Sequence, residues 1–269
     1  MKILLSHDVD HITVHEHWFK DLIIPKFYIR SVIELLNRKI TFKEFLNRLA
    51  DLTLNKWNGV DEVIAFNQSR NIKSTFFVGV NNGVGLSYEL NQAALIIKKI
   101  VTKGFEIGVH GIAYYDAGEM EKEFNTFKKL SGLDSFGIRM HYLRMNSHTL
   151  SLIGKIGYTY DASIQDFKDP YQINGLWEFP LQIMDGWIIN GQKRWQINNL
   201  EQAKLETIKY IVKARELKIN YLSILFHDRY YSNSFVTWKQ WYEWLIDYLI
   251  ETGHEFITHQ QAINELSTS

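Results

Sequence analysis

Two aspartates one residue apart, in His7-Asp8-Val9-Asp10, are the first residues in this sequence whose spacing could do chemistry. Alternate residues of an extended chain point the same way, so both carboxylates can face one centre. Anions held that close repel each other. A bound cation relieves the repulsion and leaves one carboxylate free to act as a base. The competing reading is a solvated turn whose aspartates cap the next helix. His110 ends an alternating run in Gly108-Val109-His110-Gly111, and the glycine after it allows a sharp turn and close approach to a ligand. Two further segments end in polar groups, Arg139-Met140-His141-Tyr142 and Phe226-His227-Asp228. A lone histidine is more often a hydrogen-bonding residue of the framework than a ligand. It is the shared placement at the ends of β-type runs that singles these out.

The elements that must position them follow from periodicity. Short β-type runs at 2–6, 74–80, 105–109, 136–142, 158–163, 177–183, 221–226 and 255–258 alternate with amphipathic segments at 88–103, 119–130, 148–155, 200–217 and 238–252. That alternation predicts an α/β fold with a parallel sheet or barrel. In such folds the loops after the strands converge on one mouth, where catalytic groups collect. A long stretch between the first two strands carries apolar residues at helical spacing and reads as a helical insertion at about 14–62 of one domain spanning 1–269. Its apolar positions Trp18, Leu22, Ile29, Ile33 and Leu36 are expected to pack on the core, with a membrane-surface or partner face as the alternative.

Bulk composition narrows the partners. Thirty basic and thirty acidic residues cancel among 269, which removes the electrostatic case for nucleic acid or an anionic membrane as the main partner. Cysteine is absent, so any metal must be held by His, Asp or Glu. The motif at Asp8 comes too early to follow a signal peptide, and no apolar run is long enough to span a bilayer; a cytoplasmic location is expected.

Taken together and in this order, the segments resemble the polysaccharide deacetylase family, or NodB-homology domain. Its members fold as an incomplete (β/α) barrel and hydrolyse acetyl groups with a divalent metal. His7-Asp8-Val9-Asp10, Ser74-Thr75-Phe76-Phe77-Val78, Gly108-Val109-His110-Gly111, Gly137-Ile138-Arg139-Met140-His141-Tyr142, Ile224-Leu225-Phe226-His227-Asp228 and Gly253-His254-Glu255-Phe256-Ile257-Thr258 carry the resemblance. It implies Asp8 as base, Asp10 and His110 as ligands of one divalent ion, zinc by preference, and Arg139 as the group that holds Asp8. It further implies the Tyr142 backbone amide as an oxyanion donor and His227 as general acid; Asp228, next along the chain, is a candidate orienting partner. The implied substrate is an acetylated saccharide, N- or O-linked, and the expected location makes it an intracellular precursor of a surface polysaccharide.

Two positions depart from the family pattern. Tyr114 stands where a second metal histidine is usual, and Met140-His141 follows Arg139 where proline is usual. Because Arg139 and His141 are two apart on an expected strand they share a face, which makes His141 the substitute ligand. Asp116 is a weaker candidate, and the high ordinary pKa of a phenol disfavours Tyr114. Trp177, Trp187, Tyr230 and Tyr231 could stack on sugar faces or serve as core. A saccharide-binding protein without catalysis, and a hydrolase of a non-sugar amide, are the rival functions on this barrel.

Overall fold

Seven of the eight residues of β1, Lys2–Val9, are buried, as in a strand covered on both faces. The computed structural model describes residues 1–17, 22–55 and 57–268. Nine further strands join β1: β2 (Thr75–Val78), β3 (Glu106–Gly111), β4 (Ile138–Met140), β5 (Tyr160–Asp161), β6 (Tyr171–Ile173), β7 (Leu176–Glu178), β8 (Ile183–Met184), β9 (Tyr221–Leu225) and β10 (Glu255–Ile257). Their order is β6-β7-β5-β4-β3-β2-β1-β9-β8. β10 pairs with the first half of β1 and β2 with the second. All pairings are parallel except the hairpin β6–β7. The path has two ends, β6 and β8, so the sheet curls without closing, and the expected incomplete (β/α) barrel is the architecture found.

Alternation along the strands sorts side chains between two environments. Ile3, Leu5, Val9, Phe76, Val78, Ile107, Val109, Ile138 and Met140 face outward into the main apolar core. Against it pack helices such as α4 (Leu90–Thr102), α5 (Ala117–Ser131), α6 (Thr149–Ile156) and α9 (Val236–Glu251). Leu4, Phe77, Tyr160, Phe179 and Ile257 fill the inside of the curl. Gly137 is required there, because a Cβ would lie 2.3 Å from the Tyr160 ring. Asp8 and Arg139 belong to this inner face, above the apolar plug, and the Arg139 guanidinium sits 4.4 Å over the Phe77 ring.

Between β1 and β2 run α1 (Ile23–Leu36), α2 (Phe42–Thr53) and α3 (Val60–Ser69), the last extending beyond the expected limit of the insertion. The face expected to pack inward is a correction. Leu22, Ile29 and Leu36 are exposed and Ile33 is half-buried, while Ile24, Phe27, Ser31 and Glu34 are buried; Trp18 lies outside the described residues. The reason is an ion pair that hydrophobic spacing does not reveal: Arg48 of α2, fully buried, reaches Glu34 at 2.6 Å and Ser31 at 3.2 Å. Arg30 adds a second contact to Glu34 at 2.8 Å. Glu34→Ala would leave the Arg48 charge buried without its carboxylate, so a loss of about 3–5 kcal/mol in stability is expected. A urea midpoint unchanged from wild type would show that the pair does not hold these helices.

The expected strand at 177–183 is two strands. Pro180 lies between β7 and β8, where it can donate no ladder hydrogen bond, and the chain there leaves β5 to join β9. Sequence reading also missed β6, whose Asn174-Gly175 turn has both residues at positive φ, the geometry of a tight hairpin. It likewise missed α7 (Asp185–Ile189) and α10 (His259–Thr268). The remaining helix, α8 (Leu200–Glu216), agrees with its expected span to within one residue.

Candidate active site

The strand register brings the polar ends together. His110 stands directly opposite Arg139 in the β3–β4 ladder, and Asp8 and Asp10 extend from the same end of β1, two ladders away. Asp10 Oδ1 lies 3.1 Å from His110 Nε2 and 3.3 Å from His141 Nδ1, and the two ring nitrogens are 3.0 Å apart. Among the described residues this is the one group of three or more His, Cys, Asp or Glu side chains with ligand geometry. Ligand atoms about 2.0–2.2 Å from a tetrahedral ion are separated by roughly 3.3–3.6 Å, so the triangle is slightly tighter than a filled site.

The outer hydrogen bonds settle which ring atoms face the centre. His110 Nδ1 lies 3.0 Å from the Arg139 carbonyl, and His141 Nε2 lies 3.1 Å from that of Val84. A carbonyl only accepts, so each of these nitrogens carries the proton, and the other nitrogen of each ring presents a lone pair. Two lone pairs and a carboxylate oxygen thus converge on one point that only positive charge can satisfy. Burial opposes a charge on His110, but Asp8 and Asp10 raise its pKa above the ordinary value. Burial likewise opposes charge on Asp10, yet the facing imidazoles hold it well below the carboxylate range. The donor set fits a divalent ion with open positions.

Asp8, almost fully buried, is outside this triangle. Its Oδ2 lies 3.8 Å from His110 Nε2, and its Oδ1 accepts from Arg139 Nη1 at 3.0 Å. The same guanidinium donates to Ser6 Oγ at 2.8 Å and to the Ala162 carbonyl at 2.9 Å, which leaves it little freedom. Across the site, His227 Nε2 stands 3.7 Å from Asp10 Oδ2.

The partner of His227 is a correction. It is Asp185, which accepts from Nδ1 at 2.9 Å and from the His227 backbone N–H at 2.7 Å. Asp228 points elsewhere, because the chain turns there into a short 3-10 helix, Asp228–Tyr230. Its carboxylate accepts from Gly59 N–H at 2.7 Å, fastening the start of α3, and burial pushes it up to about 7. Burial opposes a charge on His227, but Asp185, with Asp10 and Asp8 behind it, holds the imidazole well above its ordinary pKa. His227 is therefore poised as a proton donor.

A cavity of about 260 Å³ opens over these groups, lined by Asp8, Asp10, His110, His141, His227, Tyr142, Leu143, Met184, Trp187 and Leu225. Tyr142 and Leu143 both adopt left-handed backbone, a strained pairing for two non-glycine residues. Of the four aromatics considered for sugar stacking, Trp187 lines this cavity. Tyr230 stacks on Trp238, Tyr231 donates to Glu243, and Trp177 packs beside Phe179. Tyr114 lies under the Arg144 guanidinium, and Asp116 caps α5 by accepting from Glu119 N–H; neither joins the triangle.

The fold has counterparts among solved structures. A protein from Mycobacterium smegmatis described as a polysaccharide deacetylase superposes with a TM-score of 0.67 at 17% identity, over 98% of this chain and 88% of that one. The chain has the polysaccharide deacetylase fold. An allantoinase shares that fold with a TM-score of 0.61 at 14% identity, covering 97% of this chain and 87% of its own. So does a CE4 family pseudoenzyme from Bacillus anthracis, with a TM-score of 0.52 at 8% identity, over 97% of this chain and 64% of that one. No protein-family model matches the chain, and no curated protein does. The polysaccharide deacetylase fold thus hosts more than one function, and the groups in the cavity must decide between them. Among the described residues, no helix is long and apolar enough to cross a membrane.

Proposed function

We propose that the chain is a metal-dependent deacetylase that removes an N- or O-acetyl group from a saccharide, a cytoplasmic precursor of a surface polysaccharide. The observation that carries the reading is the division of groups around one cavity: a cation site at Asp10, His110 and His141, a held carboxylate at Asp8 and a proton-bearing imidazole at His227. A divalent ion bound there, zinc in this reading, would polarise the acetyl carbonyl and acidify water. Asp8 takes a proton from the attacking water while Arg139 fixes the carboxylate. The water oxygen joins the acetyl carbon, with the Tyr142 backbone amide as a donor to the developing oxyanion. His227 Nε2 protonates the departing amine or alcohol as the C–N or C–O bond breaks, giving acetate and the free sugar.

The test is acetate release by zinc-loaded protein from acetylated saccharides, followed against pH. A working His227 acid gives a rate that falls on the alkaline side as the imidazole loses its proton. Asp185→Asn removes the strongest influence raising that pKa and leaves the burial that lowers it, so the alkaline limb should move to lower pH. An unmoved limb would take the general-acid role from His227. Hydrolysis of allantoin-like cyclic amides, read as ring opening, with no acetate from any sugar would transfer the mechanism to a non-sugar substrate.

A further inference from the structure

Beside the cavity, and sharing Tyr142 as a wall, runs a groove of about 450 Å³ whose lining includes Lys26, Arg30, Arg194, Arg229 and Trp195 and no carboxylate. Four cations in one groove are a local concentration in a chain whose formal charge is zero. They are not equally engaged. Arg30 is paired with Glu34 at 2.8 Å. Arg229 is held between rings, its guanidinium 3.8 Å from the Trp57 centroid and 4.9 Å from that of Phe27. Its Nε is buried without an acceptor, and among the described residues neither Arg229 nor Arg194 has a side-chain ion pair. A guanidinium has five N–H donors, and leaving the buried one at Nε unmet is costly. Desolvation accordingly lowers the Arg229 pKa to about 10. On its other side Arg229 borders a hollow of about 340 Å³ that already contains Asp51 and Glu62, which would repel an incoming anion.

We infer that the groove binds a phosphoryl group carried by the saccharide, so that the substrate is an acetylated sugar on a phosphate or diphosphate linkage, its acetylated ring in the cavity and its anion on Arg194 and Arg229. Two guanidiniums without carboxylates match the charge and forked geometry of a phosphate better than the single charge of a sugar carboxylate. Tyr142, 67% exposed between the two spaces, lets one ligand occupy both. The identity of the ring rests on the deacetylase reading; the anion site does not.

The experiment is calorimetric titration of inorganic pyrophosphate into chelator-treated protein, where no metal can hold the anion. Wild type should bind it, and Arg194→Gln, an exposed change that spares the fold, should weaken binding about ten- to a hundredfold. Arg229→Met should do the same, its thioether keeping contact with the Trp57 and Phe27 rings while the charge is lost. Failure of wild type to bind, or unchanged binding in Arg194→Gln, would overturn the site. In zinc-loaded protein, N-acetylglucosamine 1-phosphate should show a lower KM than N-acetylglucosamine, and Arg194→Gln should erase the difference. Equal KM values in wild type would overturn the assignment of the anion to the substrate. Pyrophosphate binding with no acetate release from any sugar would refute the deacetylase reading and leave the anion site standing.

Discussion

Asparagine in place of Asp8 is expected to slow acetate release by about 10²–10⁴-fold, the usual cost of losing a positioned base. The amide keeps the shape of the carboxylate and can still accept from Arg139, which Asp8 meets at 3.0 Å, so the fold should survive. Metal content should also survive, because Asp8 stands 3.8 Å from the nearest ligand nitrogen and outside the triangle of donors. The measurement is kcat with wild type and variant loaded to the same zinc content. A variant that turns over at the wild-type rate would show that another group accepts the proton. A variant that loses its metal would show Asp8 to be a ligand.

His110→Ala should remove metal binding altogether, leaving a folded chain with none of the roughly one equivalent expected for wild type. His110 supplies one of the two inward lone pairs, and Asp10 with a single remaining imidazole offers too few donors. His141→Ala is the sharper form of the test. Removing an outer partner of a metal ligand costs about 10–100-fold in affinity, so a larger loss marks His141 as a ligand and not a support. Tyr114→Phe should leave affinity unchanged, since the phenol lies under Arg144 and away from the triangle. Competition against a chromophoric chelator reads all three. Intact affinity in His141→Ala would remove His141 from the ligand set and leave the third position unassigned.

What the sequence disclosed was the strand ends. Asp8, Asp10, His110, Arg139, His141 and His227 each close a β-type run, and side-chain alternation was enough to place the pairs Asp8/Asp10 and Arg139/His141 on common faces. What it concealed depends on register between distant segments. Asp185 lies forty-two positions from His227, and only the pairing of Ile183 with Ile224 and Met184 with Leu225 sets them side by side. A clue existed, since Asp185 follows the expected strand 177–183 and so lies near the expected mouth, as does Glu178; without the register neither could be assigned a role. Asp228 was chosen for adjacency, but the chain turns into a short helix at Asp228 and carries its carboxylate to Gly59. The buried face of α1 was misread because Glu34, a polar residue, is what the core receives there, with Arg48 as its counterpart.

The cavity combines two kinds of backbone. Asp8, His110 and Arg139 stand on central strands whose pairing would have to break before they moved, and Asp10 and His141 follow directly on β1 and β4. Tyr142, Leu143 and Trp187 instead come from the short turns and the brief helix that follow β4 and β8, where little else of the core depends on them. Changes at those positions leave the strand pairing untouched, whereas changes in the floor fall on the strands that carry the metal ligands and the base. On the deacetylase reading proposed above, lineages that inherit this chain could therefore exchange one acetylated substrate for another by small steps through working intermediates, while the hydrolytic chemistry beneath is passed on intact.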